Sequence, residues 1–176
     1  LHASVWDARA EQLLQSGRGE AVAITVVPVD GAPLTPELAD TIAGYVAERC
    51  LPGVRLEIRP FRALNVAIDA MLRVDRTQFV AEDVADAARA ALLDALGLGA
   101  RRLAQPMFIA EVLGVLETVP GAETATATLS VSAATPTTAG QEFRSLGGAL
   151  RALYPDPDQV AFLAGPADIS VRTEDL

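Results

Sequence analysis

The sequence contains few side chains that could act as a nucleophile, a general base or a metal ligand. The chain has one histidine and one cysteine, His2 and Cys50. His2 lies in a terminal segment that is expected to fray, and a nucleophilic cysteine needs a neighbouring base. Cys50 is therefore predicted to be a small buried hydrophobic residue at the end of a helix. We expect no catalytic residue and no histidine-based metal site.

Two further patterns resemble ligand sites only in part. The glycines in "GRG" (17–19) and "GLG" (97–99) lack the complete spacing of a nucleotide-binding loop, and the second follows a predicted helix instead of a strand. Asp156 and Asp158 lie in "PDPD", a typical turn sequence. Together with Asp168 they do not have the spacing of a calcium-binding loop. The sequence predicts no bound cofactor and no bound metal.

The charged residues favour protein partners. All 14 basic residues are arginine, and 23 acidic residues give a net charge of −9. This balance disfavours a nucleic-acid or anionic-membrane surface, because those partners need concentrated positive charge. Five arginines lie close together in the sequence: Arg55, Arg59, Arg62, Arg73 and Arg76. We expect them to pair with carboxylates, and binding of an anionic ligand is the alternative. Glu111 and Glu117 are predicted to be solvated on the outer side of a helix.

The composition predicts a soluble chain with a packed core. Hydrophobic residues make up 51% of the 176 positions. No apolar run reaches the roughly 18 residues needed to span a bilayer, so we expect no direct membrane insertion and no leader. Position 1 is leucine, which suggests a segment of a longer polypeptide.

The first half of the chain predicts a connector and a β-α-β unit. Residues 1–20 are a connector in which a short helix carries Trp6, Leu13 and Leu14 until Gly17 and Gly19 end it. Residues 21–59 form the unit. Its strands are 22–29 and 54–59, and Thr35 caps a helix that begins at Pro36. One face of that helix is predicted to be apolar through Leu38, Ile42, Tyr45 and Val46.

Residues 60–132 predict a second unit of order β-α-α-β that joins the first at Pro60. Alternating apolar residues indicate a strand over 63–74, and Asp75 or Thr77 would cap the following helix. The next helix starts at Pro106 and carries an apolar stripe of Ile109, Val112, Leu113, Leu116 and Val119. In "ETATATLSV" the apolar and hydroxyl side chains alternate, which predicts a strand with one polar face.

Residues 133–176 predict a C-terminal extension. A short helix is expected through Phe143, Leu146, Leu150 and Leu153, and two brief strands follow about a turn at Gly165-Pro166. The whole chain is therefore assigned to the α/β (α+β) class.

Several of these segments resemble the C-terminal part of baseplate J-like wedge proteins of contractile phage tails and contractile injection systems. The resemblance covers roughly residues 20–172 and depends on the order of the segments. In that family a "G-V-x-V-x-x-P" strand leads into an alternating strand, and an apolar helix ending in "V-P-G-V" leads into a last strand. The matching residues are Gly53-Val54, Pro60, Ala110-Glu111-Val112, Leu116 and Val119-Pro120-Gly121, while Ala122 stands where a larger residue is common.

The resemblance implies a structural role without catalysis. It implies that the chain joins neighbouring wedges into a ring and couples changes in the baseplate to sheath contraction. The implied partners are other wedge subunits, copies of this chain and sheath- or tube-proximal proteins, in a particle assembled in the cytoplasm. A small-molecule-sensing or regulatory α/β module of a larger enzyme is the alternative, because the same fold class serves both roles.

A ring subunit must present contact residues on rigid elements. The candidates are aromatic residues outside the two predicted cores, Trp6, Tyr154 and Phe162. Local packing of the tail is the competing explanation for each of them. The arginines near Pro60, Arg59 and Arg62, are the second set of candidates.

Overall fold

The computed structural model describes residues 3–13, 21–29, 31–50, 53–132 and 140–175. Over these residues the chain forms three α-helices and ten β-strands in two sheets, which confirms the mixed α/β class. The chain divides into two compact units, Leu1–Arg62 and Ala63–Leu176. None of the helices described is both long enough and apolar enough to cross a membrane.

The first unit is a three-stranded sheet with one helix. Strand β1 (Val5–Leu13) pairs antiparallel with β2 (Ala21–Pro28), and β2 pairs parallel with β3 (Arg55–Pro60). Helix α1 (Pro36–Ala47) connects β2 to β3, which gives the predicted β-α-β order. Pro60 lies in the edge strand β3, where the missing N–H group does not interrupt a central ladder.

Helix α1 begins as predicted but buries less than predicted. The Thr35 hydroxyl oxygen accepts a hydrogen bond from the Leu38 N–H group at 3.3 Å, and Pro36 occupies the first turn. Ile42 is buried, whereas Tyr45 is 38% exposed. The Tyr45 ring instead packs under the guanidinium group of Arg49, whose carbon lies 3.8 Å from the ring centre. The expectation that Tyr45 belongs to the buried stripe was wrong.

The predicted helix in the opening segment was also wrong. Trp6 and Leu13 lie in β1, because the backbone of this segment pairs with β2 from Val5 to Leu13. Pairing with a strand that follows later in the chain outweighs the weak helical spacing of the apolar residues in this segment. Leu14, Gly17 and Gly19 lie outside the described residues, as does His2.

The second unit combines one sheet with two helices. The helices are α2 (Ala81–Leu96) and α3 (Ile109–Glu117). The seven strands are β4 (Arg62–Val74), β5 (Met107–Phe108), β6 (Ala122–Val131), β7 (Gln141–Arg144), β8 (Leu150–Tyr154), β9 (Gln159–Phe162) and β10 (Ile169–Asp175). The path β10-β4-β6-β8-β5 orders the sheet, and β7 pairs with β8 while β9 pairs with β4.

Strand β4 supplies the centre of the core. Its apolar side chains alternate with polar or smaller ones, and every member of the buried set is at most 2% exposed: Leu64, Val66, Ile68, Ala70, Leu72 and Val74. These residues form one cluster with the buried faces of α2 and α3. The register of β6 against β4 places Leu129 opposite Ile68 and Thr128 opposite Asp69. The predicted division of β6 into an apolar and a hydroxyl face is confirmed.

The turn before α2 is built differently from the prediction. Neither Asp75 nor Thr77 caps the helix, since Val80 occupies that position without a side-chain hydrogen bond. The Asp75 carboxylate instead accepts hydrogen bonds from the Thr77 hydroxyl, the Thr77 N–H group and the Gln78 amide. The hydrogen bond from the Thr77 hydroxyl contributes most to lowering the pKa of Asp75 below its usual value.

Helix α3 begins three residues later than predicted. Pro106 does not start it, because Met107 and Phe108 form the short strand β5 and α3 begins at Ile109. Val112 and Leu116 are fully buried, whereas Leu113 is only partly buried at the edge of the core.

The C-terminal residues belong to the sheet of the second unit. Phe143 lies in β7, and Leu150 and Leu153 lie in β8, so the predicted helix was wrong. The β7 strand begins where the backbone passes very close to β8, and a Cβ atom at Gly140 would collide with the backbone oxygen of Tyr154. The two strands predicted about Gly165-Pro166 are confirmed as β9 and β10.

A buried arginine side chain forms hydrogen bonds that hold the loop between α2 and β5 in place. Arg101 is 1% exposed, and its guanidinium group donates to Glu111 Oε1 at 2.8 Å and to the backbone oxygens of Gln105 and Pro106. The prediction that Glu111 is only solvated was therefore wrong. The carboxylate balances a charge that would otherwise be costly to bury.

We expect Leu116→Ala to lower the free energy of unfolding by about 2–5 kcal/mol, because it leaves a cavity among fully buried side chains. Leu113→Ala is the matched control on the same helix and should cost clearly less. Urea titration of both variants followed by circular dichroism checks this. Equal losses would mean that Leu116 does not lie deeper than Leu113.

We expect Arg101→Ala to destabilise the second unit by about 2–3 kcal/mol, the range for losing hydrogen bonds to a charged group. The neighbouring variant Arg102→Ala removes an exposed side chain and should cost less than about 0.5 kcal/mol. Thermal unfolding measures both. A neutral Arg101→Ala would show that the guanidinium contacts do not hold this loop.

Candidate protein interface

The structure places the five predicted contact residues in different environments. Trp6 is half-buried in β1, Arg59 is exposed in β3, and Arg62 is half-buried at the start of β4. Phe162 is half-buried at the end of β9. Tyr154 is 42% exposed at the end of β8. Of these five residues, Tyr154 offers the most accessible aromatic ring.

Arg59 already interacts with a carboxylate of its own strand. Its Nε and Nη2 atoms lie 3.0 and 2.9 Å from the two carboxylate oxygens of Glu57. These hydrogen bonds hold the pKa of Glu57 below its usual value. The two side chains are 44% and 50% exposed, so the pair contributes little to stability. It presents balanced charge on the sheet surface.

Tyr154 forms an exposed aromatic pair with Phe108. Their ring centres lie 5.9 Å apart and the ring planes are perpendicular. The pairing of β5 with β8 produces this contact, since Met107 lies opposite Leu153 and Phe108 lies opposite Ala152. Met107 and Leu153 are fully buried in the core. Because successive side chains alternate between faces, Phe108 lies on the face away from the core.

Phe143 lies on the same face from the other side of β8. It is opposite Ala152, which is in turn opposite Phe108, so the three residues form one row across three strands. Phe143 is 62% exposed and Phe108 is 42% exposed. We call Phe108, Phe143 and Tyr154 the aromatic cluster.

The aromatic cluster has the chemistry of a protein contact. Aromatic side chains bury a large area, lose few rotatable bonds on binding and are enriched among residues that dominate binding energy. Several exposed rings on one rigid sheet face are more informative than a single exposed apolar residue. The hydroxyl group of Tyr154 can add a hydrogen bond to a partner.

Sequence reasoning found only one member of the aromatic cluster. Phe143 was assigned to the apolar stripe of a helix, and Phe108 received no role. The exposure of both depends on β8 pairing with β5 on one side and with β7 on the other. No local signal was present, because Pro106 favours the start of a helix rather than a strand.

The other end of the same sheet face is polar. The exposed residues of β6 on this face are Thr124, Thr126, Thr128 and Ser130. Beside them, Arg172 Nη2 lies 2.9 Å from both carboxylate oxygens of Asp69, which links β10 to β4. A shallow depression of about 380 Å³ lies here, with Met71 and Glu174 among its lining residues. Two of its charged groups, Arg172 and Asp69, are paired with each other.

The described residues contain no candidate metal centre. Over these ranges, no group of three or more histidine, cysteine or carboxylate side chains is arranged to hold a metal ion. Cys50 is exposed at the end of the α1 region, so the prediction of a buried cysteine was wrong. The exposed sheet face of the second unit is therefore the candidate functional surface.

Comparisons with known proteins identify the fold. No family model and no curated protein matches the sequence. Among solved structures, the chain is similar to a chain in the cryo-EM structure of the anti-feeding prophage (AFP) baseplate, 6-fold symmetrised, with a TM-score of 0.58 and 10% sequence identity. The similarity covers 93% of this chain and 34% of that chain, so this chain spans about a third of the length of the protein it matches. The fold of this chain is thus one that also occurs in a protein of the anti-feeding prophage baseplate.

Proposed function

We propose that this chain is a structural, non-enzymatic component of the baseplate of a contractile injection system or phage tail. The observation that carries the proposal is the similarity of fold over 93% of the chain to a protein of the anti-feeding prophage baseplate. Fold alone does not determine function. The baseplate role is supported further by the motif order that the sequence shares with baseplate J-like wedge proteins.

Within the baseplate, the proposed position is the wedge. A wedge subunit has to hold its neighbours while the particle changes shape, so it needs contact surfaces on rigid elements. The aromatic cluster lies on a seven-stranded sheet whose opposite face is packed against α2 and α3. Such a support keeps the rings in place and reduces the entropy lost when they become buried.

The proposed partners follow from this position. They are other wedge subunits, further copies of this chain and proteins next to the sheath or tube, in a particle assembled in the cytoplasm. Links between neighbouring wedges would close a ring, and movement of those links would pass the baseplate's change of shape to the sheath. The chain carries a net charge of −9, which suits protein neighbours better than nucleic acid.

The role is tested in the strain that encodes the chain. Deleting the coding sequence for residues 1–176 should leave tubes and sheaths that do not assemble into complete particles, and the intact full-length gene should restore them. Negative-stain electron microscopy counts the particles. Normal yields of complete, contractile particles after deletion would contradict the proposal and favour a regulatory role.

The contact surface is tested by single substitutions in the full-length protein. We expect Tyr154→Ser and Phe108→Ser to fold and to reduce the yield of complete particles by about tenfold, which corresponds to about 1.4 kcal/mol of binding energy. Tyr45→Ala removes a ring of similar exposure from α1 and serves as the matched control. Trp6→Ala and Phe162→Ala test the other two predicted aromatic residues.

Circular dichroism must first show that each variant is folded. Normal particle yields with both aromatic-cluster variants would exclude this face as an essential contact, whatever the yield for Trp6→Ala. A loss with Tyr45→Ala alone would instead locate the contact on the first unit.

A further inference from the structure

Strand β7 is exposed along its whole length. All four of its residues, Gln141 to Arg144, are exposed, and Phe143 reaches 62%. Leu146, in the turn that follows, is completely exposed. A strand with no residue in the hydrophobic core gains little from packing on that core.

One edge of β7 has no partner among the strands that the structure describes. Of the strands in the described residues, β7 pairs with β8 alone. An edge strand presents a row of backbone N–H and C=O groups that can pair with a strand of another chain. Proteins usually protect such edges with charged side chains, and β7 carries two, Glu142 and Arg144.

The order of side chains in β7 is self-complementary. If two copies pair antiparallel with Phe143 opposite Phe143 of the second copy, then Glu142 of each copy lies opposite Arg144 of the other. This register gives two opposite-charge pairs on one face and an aromatic pair on the other. Both kinds of cross-strand pair stabilise a sheet.

Other antiparallel registers lack this match. Pairing centred on Glu142 places two carboxylates opposite each other, and pairing centred on Arg144 places two guanidinium groups opposite each other. A centre between two residues is excluded, because side chains from opposite faces of the sheet would then have to stand opposite each other. Like charges directly opposite are unfavourable, so the side chains specify one register.

The pairing would also extend the aromatic cluster. A two-fold axis perpendicular to the sheet keeps the same face of both copies on the same side. The row of Phe108, Ala152 and Phe143 would then continue through the second copy in reverse order. Each Phe143 ring would lose much of its 62% exposure against its counterpart.

The charges that would pair between the two copies are already paired with each other within one copy. In the single chain Arg144 Nε already lies 2.8 Å from Glu142 Oε2, with the arginine side chain 51% and the glutamate side chain 28% exposed. In the paired form the same four groups of two copies would form a neutral cross-strand network.

We infer that β7 is a self-association edge, at which two copies of this chain form a continuous antiparallel sheet centred on Phe143. The occupant of the edge is a second copy because the charge order of β7 complements itself. The inference names one partner of the face described above. It rests on the proposed baseplate function, which is the setting in which two copies would meet. Its test uses the purified chain and does not require an assembled particle.

Charge reversal tests the pairing in the purified chain. Glu142→Arg and Arg144→Glu should each weaken self-association by at least about tenfold, because each creates like-charge pairs across the two-fold axis. An equimolar mixture of the two variants should form a heterodimer, since every charged pair then becomes opposite. The double variant, in which the two charges are exchanged, should form homodimers again. Analytical ultracentrifugation over a concentration series measures all four.

Disulfide cross-linking tests the register. In a background in which the exposed Cys50 is replaced by serine, Phe143→Cys should form a disulfide-linked dimer on mild oxidation. Glu142→Cys is the matched control and should not, because position 142 faces position 144 of the second copy.

Each outcome decides for or against the inference. A wild-type chain that stays monomeric up to about millimolar concentration, the effective concentration of a tethered contact, would overturn it. Variants that fail to associate when mixed, or equal cross-linking at positions 142 and 143, would overturn it as well. Particle assembly that survives these results would leave the baseplate role intact and show that only the self-association is wrong.

Discussion

The second unit depends on the alternation of apolar side chains along β4. Its buried face runs from Leu64 to Val74, and each side chain on that face is at most 2% exposed. A slip of one residue against β6 or β10 would turn the whole row to solvent, so burial fixes the register. The register then decides the face of every neighbouring side chain. Leu129 joins the core opposite Ile68, while Thr128 lies on the uncovered face opposite Asp69.

This register places two chemically different sets of side chains on the uncovered face of the sheet. Hydroxyl groups and the ion pair of Arg172 with Asp69 occupy its β10-β4-β6 end, and these polar groups are stable in water. The aromatic cluster occupies the end formed by β5, β8 and β7. Burial of these exposed rings against a partner would lower the free energy, because it removes apolar surface from water. The exposed apolar side chains of this face therefore lie at one end of the sheet, on and beside the edge strand β7.

The sequence predicted elements whose signals are local. Alternation within single segments located the strands at 54–59 and 63–74 to within two residues, and a run of apolar, β-branched residues located the strand at 22–29 equally well. The tail was assigned wrongly because Phe143, Leu146 and Leu150 recur at helical spacing, although β8 obtains its partners from β5, β6 and β7. Of the aromatic residues predicted as contacts, only Tyr154 belongs to the aromatic cluster, because the grouping of these rings depends on that pairing. Arg101 was missed because nothing in its sequence neighbourhood shows that its charge will be buried.

A short edge strand suits an assembly that must be both specific and reversible. Four residues in β7 provide few backbone hydrogen bonds, so a single contact of this kind binds weakly. In the proposed ring the same contact would form between subunits already held nearby, and the high effective concentration would stabilise it without added surface. Because the complementary charges of Glu142 and Arg144 allow one register, specificity does not require a large interface. A contact built in this way can release when neighbouring subunits move and form again in the same geometry.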